Sequence, residues 1–251
     1  MSRDITPDLR RIRVFLTNPH PCSYLPGKEA TTAFVASADP NLEVISHIEI
    51  NSKLYSQLSD MGFRRSGQYF YSPRCKSCDA CISARVKVGS FKLSRQQKRC
   101  LKRNEGLIVK QVSAIDEQEH YPLYKNYINT RHADGDMYPP NLPQFKDFIG
   151  NLREYSQMIE IRDNGELISA GVIDLLDDGL SAIYSYYSTE LKHKSRSLGT
   201  FSILSQITLA EEMGLSYLYL GYWIKNSPKM AYKSNYRPLE ILKDRQWILL
   251  D

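Results

Sequence analysis

The spacing of apolar and polar positions separates an irregular start of the chain from a more regular remainder. Residues 1–48 carry prolines at 7, 19, 21, 26 and 40 and few periodic apolar positions, which predicts irregular structure. Residues 50–61 place apolar side chains at helical spacing and are followed by a glycine, so they predict a helix. The sequence GFRRSGQYFYSP at 62–73 then predicts a short strand, and another strand follows at 84–88.

Beyond Gly106 the pattern alternates between helical and strand spacing. It predicts a strand, two helices, three strands, a helix and a strand, at residues 107–112, 117–132, 142–152, 158–162, 167–175, 180–188, 199–213 and 217–222. The sequence DDG at 177–179 is a hairpin signal between two of these strands. This order predicts an α/β (α+β) fold, with a mixed-sheet C-terminal domain at 106–251 after a smaller cysteine-containing domain at 1–105.

The composition is that of an ordinary globular protein. The chain has 251 residues, of which 42% are hydrophobic and 24% charged, enough for one large domain or two modest ones. Its apolar runs are shorter than a membrane span, and its N-terminus, MSRDITPDLRRIRVF, lacks an apolar signal region. We therefore expect a cytoplasmic protein without a membrane partner.

Three cysteines at three-residue spacing, Cys75, Cys78 and Cys81, stand in PRCKSCDACISARVKV. A thiol at every third residue of a tight loop can turn several sulfurs toward one point, as metal and cluster sites do. Cys22, in the turn PHPCSYLPG, is the candidate fourth ligand, and Cys100 lies apart. Zinc and an iron–sulfur cluster are the candidate occupants, because cytoplasmic thiols stay reduced and five cysteines do not suit a disulfide framework. The alternative is three unrelated small residues in a loop.

A predicted helix between Lys92 and Arg103 is strongly basic. It contains six basic residues and no acidic one, and Ser94 can cap its start. A solvated helix face normally mixes charges of both signs, so this one favours contact with a phosphate backbone over a merely solvated surface.

The stretch GYWIKNSPKMAYKSNYRPLEIL at 221–242 interleaves cations with aromatic rings. Its lysines and tyrosines suit a single-stranded nucleic-acid end, where rings stack on bases and cations meet phosphates. The alternative is a surface strand and loop with half-buried tyrosines.

The sequence RSLGTF at 196–201 opens a predicted helix whose backbone N–H groups could hold an anion. Acyl-CoA transferases of the GNAT fold use a similar loop, R/Q-x-x-G-x-G/A, but Phe201 occupies its last position in this chain. A bulky side chain there would obstruct the approach of a pyrophosphate. We therefore expect a GNAT-like fold without a CoA site.

Several long motifs together resemble one protein family. PCSYLPG, GFRRSG with the cysteines downstream, GVIDLLDDGLSAIYSYY, LGTFS and LGYWIKNSPKMAYKSNYRPLE are similar to the bacterial aspartate/glutamate leucyltransferases, which are relatives of the arginyl-tRNA–protein transferases. The resemblance covers residues 15–247, with the motifs in the expected order. One departure is Ser72, where the family carries a basic residue; Arg74 is the candidate replacement.

The resemblance implies transfer of leucine from leucyl-tRNA to the N-terminal amine of a protein that begins with Asp or Glu, which marks that protein for degradation. An α-amine has a pKa near ~8, so a sizeable minority is neutral at neutral pH. Positioning and oxyanion stabilisation should then supply most of the rate, without a strong base or a required cofactor.

For catalysis we expect Asp174 to orient the acceptor amine or accept its proton, because a carboxylate in an apolar strand is costly unless it is paired. Tyr186 and Lys233 are further candidates, for contacts with the leaving group or the oxyanion. The alternative for Asp174 is a strand-end residue that prepares the hairpin.

For substrate binding we expect cations at two places. Arg65, Arg74 and Arg85 flank the cysteine loop, and at least one should bind the acidic acceptor side chain; the alternative is surface arginines over aromatic rings. The residues of the basic helix that we expect to hold the tRNA backbone are Arg95, Lys98, Arg99, Lys102 and Arg103. Lys229, together with Lys225 and Lys233, should hold the aminoacylated end of the tRNA. The cysteines would then act as a staple that holds the acceptor pocket.

Three other functions remain open from the sequence. Arginyl rather than leucyl transfer is the nearest, since no residue pattern reads the aminoacyl side chain. A GNAT-type acetyltransferase is opposed by Phe201, and a metal-stapled RNA-binding module would leave Asp174 without a role.

Overall fold

The structure, a computed structural model, describes residue 9 and residues 12–37 and 50–250. Its strands are β1 (Ile12–Leu16), β2 (His20–Pro21), β3 (Glu29–Ala30), β4 (Thr32–Ser37), β5 (Arg64–Ser66), β6 (Tyr69–Pro73), β7 (Ile82–Lys87), β8 (Ile108–Val112), β9 (Ser156–Asp163), β10 (Glu166–Leu175), β11 (Gly179–Tyr187), β12 (Tyr217–Trp223), β13 (Leu239–Lys243) and β14 (Gln246–Leu249). Its helices are α1 (Ser52–Asp60), α2 (Arg95–Arg103), α3 (Glu117–Arg131), α4 (Leu142–Phe145), α5 (Leu198–Glu212) and α6 (Pro228–Ala231).

An eight-stranded mixed sheet forms the centre of the molecule, in the order β14-β13-β7-β12-β11-β10-β9-β8. Strands β11 and β12 are parallel, whereas the other neighbours are antiparallel. The predicted α/β class with a mixed sheet is confirmed. Strand β7 precedes residue 105 yet pairs with β12 and β13, and the boundary at 105/106 stays a prediction.

The helices cover both faces of this sheet. Met158 packs with α3 and its neighbour Ile159 packs with α5, and successive strand residues point to opposite faces. Helix α5 is apolar on nearly all sides because the sheet covers one side and α2 covers another. Each fully buried Leu or Ile in it contributes about 1.5–3 kcal/mol of transfer free energy.

A smaller sheet, β1-β4-β6-β5, and the β2–β3 ribbon lie in the N-terminal region. The prediction of irregular structure for residues 1–48 was therefore wrong within the described residues; its parts at 1–8, 10–11 and 38–48 lie outside them. The single strand predicted at 62–73 is a hairpin, because Gly67 takes a φ of 57° and turns the chain between β5 and β6. A core shared by α1, β6 and β12 joins this region to the large sheet.

Most predicted helices are present. Helix α2 begins at a capping box in which Ser94 and Gln97 exchange hydrogen bonds between side chain and backbone. The helix predicted at 142–152 is α-helical only over α4 and continues as a π-helical turn, Lys146–Gly150. No helix in the described part of the chain is both long and apolar enough to cross a membrane.

Candidate functional site

The two parallel strands of the large sheet diverge at their carboxyl ends. Strands β11 and β12 pair only between Gly179–Ser181 and Tyr217–Tyr219, and beyond that point each follows its other neighbour. A register shift against β7 between Tyr219 and Gly221 accentuates the change in direction. The carboxyl ends of diverging parallel strands are a common place for ligands. We call this region the divergence site.

Two buried cations lie beside Gly221 at the divergence site. A Cβ atom on Gly221 would lie 3.7 Å from Nζ of Lys233 and 3.8 Å from Nε of Arg64, and the residue has a φ of 81°. Lys233 Nζ donates to the carbonyl of Tyr222 at 2.5 Å, and Arg64 Nη2 donates to the carbonyl of Tyr219 at 3.1 Å. Both residues are at most 5% exposed. Among residues 12–37 and 50–250, no carboxylate forms an ion pair with either of them.

The environment of Lys233 shifts its titration to neutral pH. Burial lowers the pKa of Lys233 to about 7, and the Arg64 charge lowers it further while Cys81 opposes the shift. Both protonation states are therefore populated near neutral pH. The protonated amine can receive an anion, and the neutral amine can accept a proton.

Tyr232 connects the cations to a cluster of tyrosines, since its ring centroid lies 5.8 Å from Lys233 Nζ. Tyr127 and Tyr187 have ring centroids 4.7 Å apart, and Tyr127 and Tyr184 have theirs 6.5 Å apart. Burial raises the pKa of Tyr127, and the neighbouring Tyr187, Tyr184 and Tyr232 raise it further. The ring of Tyr187 lies against the start of α5, since a Cβ on Gly199 would be 3.0 Å from it. Phe201, in the first turn of α5, is buried in the hydrophobic core, and the expectation of a fold without a CoA site stays a prediction.

The four predicted cysteine ligands gather near Lys233. Burial raises the pKa of Cys81 to about 12, and Cys22, Cys75 and Cys78 raise it as well, whereas Lys233 lowers it. All four thiols are free and partly exposed. Four thiols form a donor set that suits zinc or an iron–sulfur cluster.

The four thiols are nevertheless farther apart than the ligands of a single bound metal ion. Over the described ranges, the group of three donors within 4.8 Å of one another is Glu166, Glu190 and His193, not the cysteines. Metal binding at the cysteines stays a prediction.

Two predicted site residues, Arg65 and Asp174, bind each other instead of separate substrate groups. Arg65 Nε and Nη2 donate to the two carboxylate oxygens of Asp174 at 2.6 and 2.8 Å, and Ser156 Oγ donates to Oδ1 at 2.6 Å. The Asp174 side chain is fully buried. The carboxylate raises the pKa of Arg65 although burial opposes it. This closed geometry suits a structural ion pair, and a catalytic role for Asp174 stays a prediction.

The other two arginines predicted for the acceptor lie in different settings. Arg85 is stacked between the rings of Tyr217 at 3.5 Å and Trp247 at 4.2 Å, and its Nε donates to Glu240 at 2.8 Å. Arg74 is exposed, with its guanidinium carbon 5.9 Å from the ring centroid of Phe63.

The sequence interpretation missed Arg64. The signal was the pair of arginines in GFRRSG, because successive strand residues face opposite sides. Arg65 faces Asp174. Arg64, the preceding residue of the strand, therefore faces the opposite side, where a different site could be expected.

Tyr186 lies away from the cations, inside the interface between α3 and the sheet. Its hydroxyl is 2.6 Å from His120 Nδ1, and His120 Nε2 is 3.0 Å from Glu160 Oε1. All three side chains are buried. The geometry thus places Tyr186 in a closed polar network.

The residues predicted to bind tRNA are on the surface, except for Lys233, which is buried. Exposed basic side chains on α2 are Arg95, Lys98, Arg99, Lys102 and Arg103. Arg103 donates to the carbonyl of Ser195, in the segment before α5. Lys229 is also exposed and its Nζ lies 2.8 Å from a carboxylate oxygen of Asp134.

Sequence comparisons match nearly the whole chain. A family model described as arginine-tRNA-protein transferase, N terminus, matches residues 20–99, and the model of its C terminus matches residues 119–243. The protein named aspartate/glutamate leucyltransferase in Pseudomonas fluorescens (strain Pf0-1) is 46% identical, over 97% of this chain and 99% of that protein. Its namesake in Marinobacter nauticus is 49% identical, over 96% of this chain and 97% of that protein.

Solved structures show more distant similarity. FemX has a TM-score of 0.44 and 9% identity, covering 85% of this chain and 80% of that chain. L-PGS from Bacillus licheniformis has a TM-score of 0.44 and 14% identity, covering 68% of this chain and 50% of that chain.

Proposed function

The chain belongs to the aspartate/glutamate leucyltransferase family, and from that premise we propose that it transfers leucine from leucyl-tRNA to the N-terminal amine of proteins that begin with Asp or Glu. The product carries an additional leucine and enters N-degron degradation. Charged tRNA and new protein N-termini meet in the cytoplasm, which we propose as the place of action.

The reaction is an acyl transfer between an ester and an amine. The neutral acceptor nitrogen attacks the ester carbonyl, the new amide bond forms, and the ester C–O bond breaks. The ribose oxygen leaves with the proton that the acceptor nitrogen gives up. The reaction requires no cofactor and no CoA.

The pair of buried cations beside Gly221 is the observation that supports this acceptor most directly. Two cations placed together in the interior, with no carboxylate of residues 12–37 or 50–250 paired to either, repel one another and lose hydration. The side chain of an N-terminal Asp or Glu would offset both costs, since Arg64 and Lys233 can each donate to it. Lys233 would then become fully protonated, so the same contact favours acidic over neutral acceptors.

The test compares Arg64→Gln and Lys233→Met with Lys225→Met, an exposed lysine on the same C-terminal stretch. We expect the KM for an Asp-leading peptide to rise about tenfold or more in the first two variants, because a charge-assisted contact is lost. The KM for leucyl-tRNA should stay unchanged in these two variants, and Lys225→Met should keep the wild-type KM for the peptide. An unchanged peptide KM in both Arg64→Gln and Lys233→Met would contradict this acceptor pocket.

Arginyl transfer is the second candidate, because the matching family models are described as arginine-tRNA-protein transferase. Incubation with leucyl- and arginyl-tRNA in one mixture, followed by weighing of the Asp-leading peptide, distinguishes the two. Leucine addition is the expected product.

For the cysteines we propose a staple that holds the loop next to Lys233. Zinc or an iron–sulfur cluster bound there would fix Cys75–Cys81 against Cys22 and would supply no chemistry to the transfer. Removal of such a group should weaken acceptor binding before it weakens tRNA binding.

A further inference from the structure

A group of ligand-type side chains lies outside the divergence site, where β10 begins and the chain leaves β11. One oxygen from each of Glu166 and Glu190 and one ring nitrogen of His193 lie within 4.8 Å of one another. Glu166 starts β10, whereas the other two belong to the segment between β11 and α5. We call these three residues the Glu–His group.

His193 is the unusual member of this group. It is 5% exposed, and within the part of the chain that the structure describes neither of its ring nitrogens has a hydrogen-bond partner. A buried imidazole without a partner is costly, and buried polar groups in folded proteins are nearly always satisfied. A ligand that binds a ring nitrogen of His193 is therefore expected next to the carboxylates of Glu166 and Glu190.

We propose that the Glu–His group binds a divalent metal ion that accepts imidazole and carboxylate ligands together, of the manganese or zinc type. Two carboxylates and one imidazole are a common donor set for such ions. Ligands of one ion lie at most about 4.2 Å apart, which is twice a metal–ligand distance of about 2.1 Å. The two glutamates are exposed, so rotation of their side chains closes the remaining gap.

The Lys192 ammonium competes with a metal ion for the two carboxylates. Its Nζ lies 2.9 Å from Glu166 and 3.3 Å from Glu190. The Lys192 side chain is about half exposed, so it can swing into solvent when an ion enters. The ammonium satisfies the carboxylates but leaves His193 unpaired, whereas a metal ion satisfies all three.

The segment that carries this site also contacts the basic helix. Asn104 Nδ2 donates to the carbonyl of Arg196 at 2.8 Å, and Arg103 donates to that of Ser195. A metal ion bound to Glu190 and His193 therefore fixes the segment to β10 and, through these contacts, steadies the end of α2. The metal site itself does not depend on the proposed leucyl transfer.

The experiment titrates Mn²⁺ into the full chain and follows the loss of the free-ion signal by electron paramagnetic resonance. Mn²⁺ is the probe because it prefers oxygen and imidazole ligands, whereas the cysteine thiols prefer softer ions. We expect one bound ion, and affinity about tenfold lower or weaker still in His193→Asn and Glu190→Gln. Glu211→Gln, which changes an exposed glutamate on α5, is the matched control and should bind as wild type.

Lys192→Met provides the sharpest comparison. Removal of the competing ammonium should raise Mn²⁺ affinity about tenfold, because a like charge a few ångströms from the ion is lost. Absence of binding at about 1 mM Mn²⁺, where even weak carboxylate sites fill, would overturn the proposal. Wild-type Mn²⁺ affinity in Lys192→Met, or in both His193→Asn and Glu190→Gln, would also overturn it. Glu190→Gln changes an exposed residue, so the test stays valid if His193→Asn does not fold.

Discussion

Lys233 is a charged side chain at a place where burial favours a neutral one. Its amine has the backbone carbonyl of Tyr222 and the sulfur of Met230 as neighbours, and Arg64 adds a second positive charge. The protein therefore pays part of its stability to keep this amine inside. That cost is a measurable signature of a residue kept for binding or catalysis.

We expect Lys233 to make the free energy of unfolding rise with pH above neutrality. The unfolded chain has the ordinary lysine pKa of 10.5 and the folded protein a pKa of about 7, so between these values the unfolded state binds more protons. The contribution is at most about 1.4 kcal/mol per pH unit. Urea denaturation at about pH 7 and pH 9 should show a smaller rise in Lys233→Met than in wild type. Parallel curves would show that Lys233 titrates normally.

The Arg65–Asp174 pair should act mainly on stability. Asp174→Asn leaves a buried guanidinium partly unpaired, so we expect the free energy of unfolding to fall by about 3–5 kcal/mol. We expect the free energy of unfolding to fall less in the double variant Arg65→Met/Asp174→Leu than in Asp174→Asn or in Arg65→Met alone, because the double variant leaves no charge buried. Denaturation of all three measures this directly.

Activity of Asp174→Asn distinguishes the two roles of this carboxylate. If the variant is assayed at a temperature where it stays folded, a structural carboxylate permits transfer at close to the wild-type rate. Loss of transfer in a fully folded variant would restore the catalytic role predicted from the sequence.

At the scale of elements, local sequence patterns predicted the structures that one segment determines by itself and missed those that depend on pairing with a distant segment. Helix α2 was predicted from the spacing of its basic residues and from Ser94 as a cap, and the structure adds Gln97 as the second half of a capping box within the same segment. Strand β1 was missed because Val14, Phe15 and Leu16 are exposed and only pairing with β4 makes the segment a strand. The Arg65–Asp174 pair joins residues 109 positions apart, so no local pattern contains it.

The exposed cations of α2 should contribute to tRNA affinity through their charge alone. Lys98→Gln/Lys102→Gln should weaken tRNA binding and reduce the slope of log affinity against log salt by about one per lost phosphate contact. Lys110→Gln, on the exposed edge strand β8, is the matched control. A slope that does not change would assign the tRNA to another surface.

At the scale of the whole molecule, β7 and α1 join the N-terminal part of the chain to the large sheet and its core. Strand β7 lies between β12 and β13, and the second core combines Leu54 and Leu58 of α1 with Tyr155, Leu176 and Tyr219. Elements before and after residue 105 therefore bury apolar surface against each other. Such shared cores favour a single cooperative transition.

Leu58→Ala tests that cooperativity. Leu58 is 1% exposed in the shared core, so the substitution should lower the free energy of unfolding by about 2–5 kcal/mol. The fluorescence of Trp223 and Trp247, both in the C-terminal part, should shift to the same lower midpoint as circular dichroism. Two separate midpoints would instead show that residues 1–105 and 106–251 unfold independently.

The place of β7 also has a consequence during synthesis. Its neighbours in the sheet are β12 and β13, so the ribosome must add more than 130 further residues before a strand can pair with either edge of β7. Until then a strand that is largely buried in the folded protein has unpaired backbone groups available to other nascent chains. We expect newly made chains to need chaperones until the last hairpin emerges, and truncation before β13 to yield aggregates rather than a smaller folded protein.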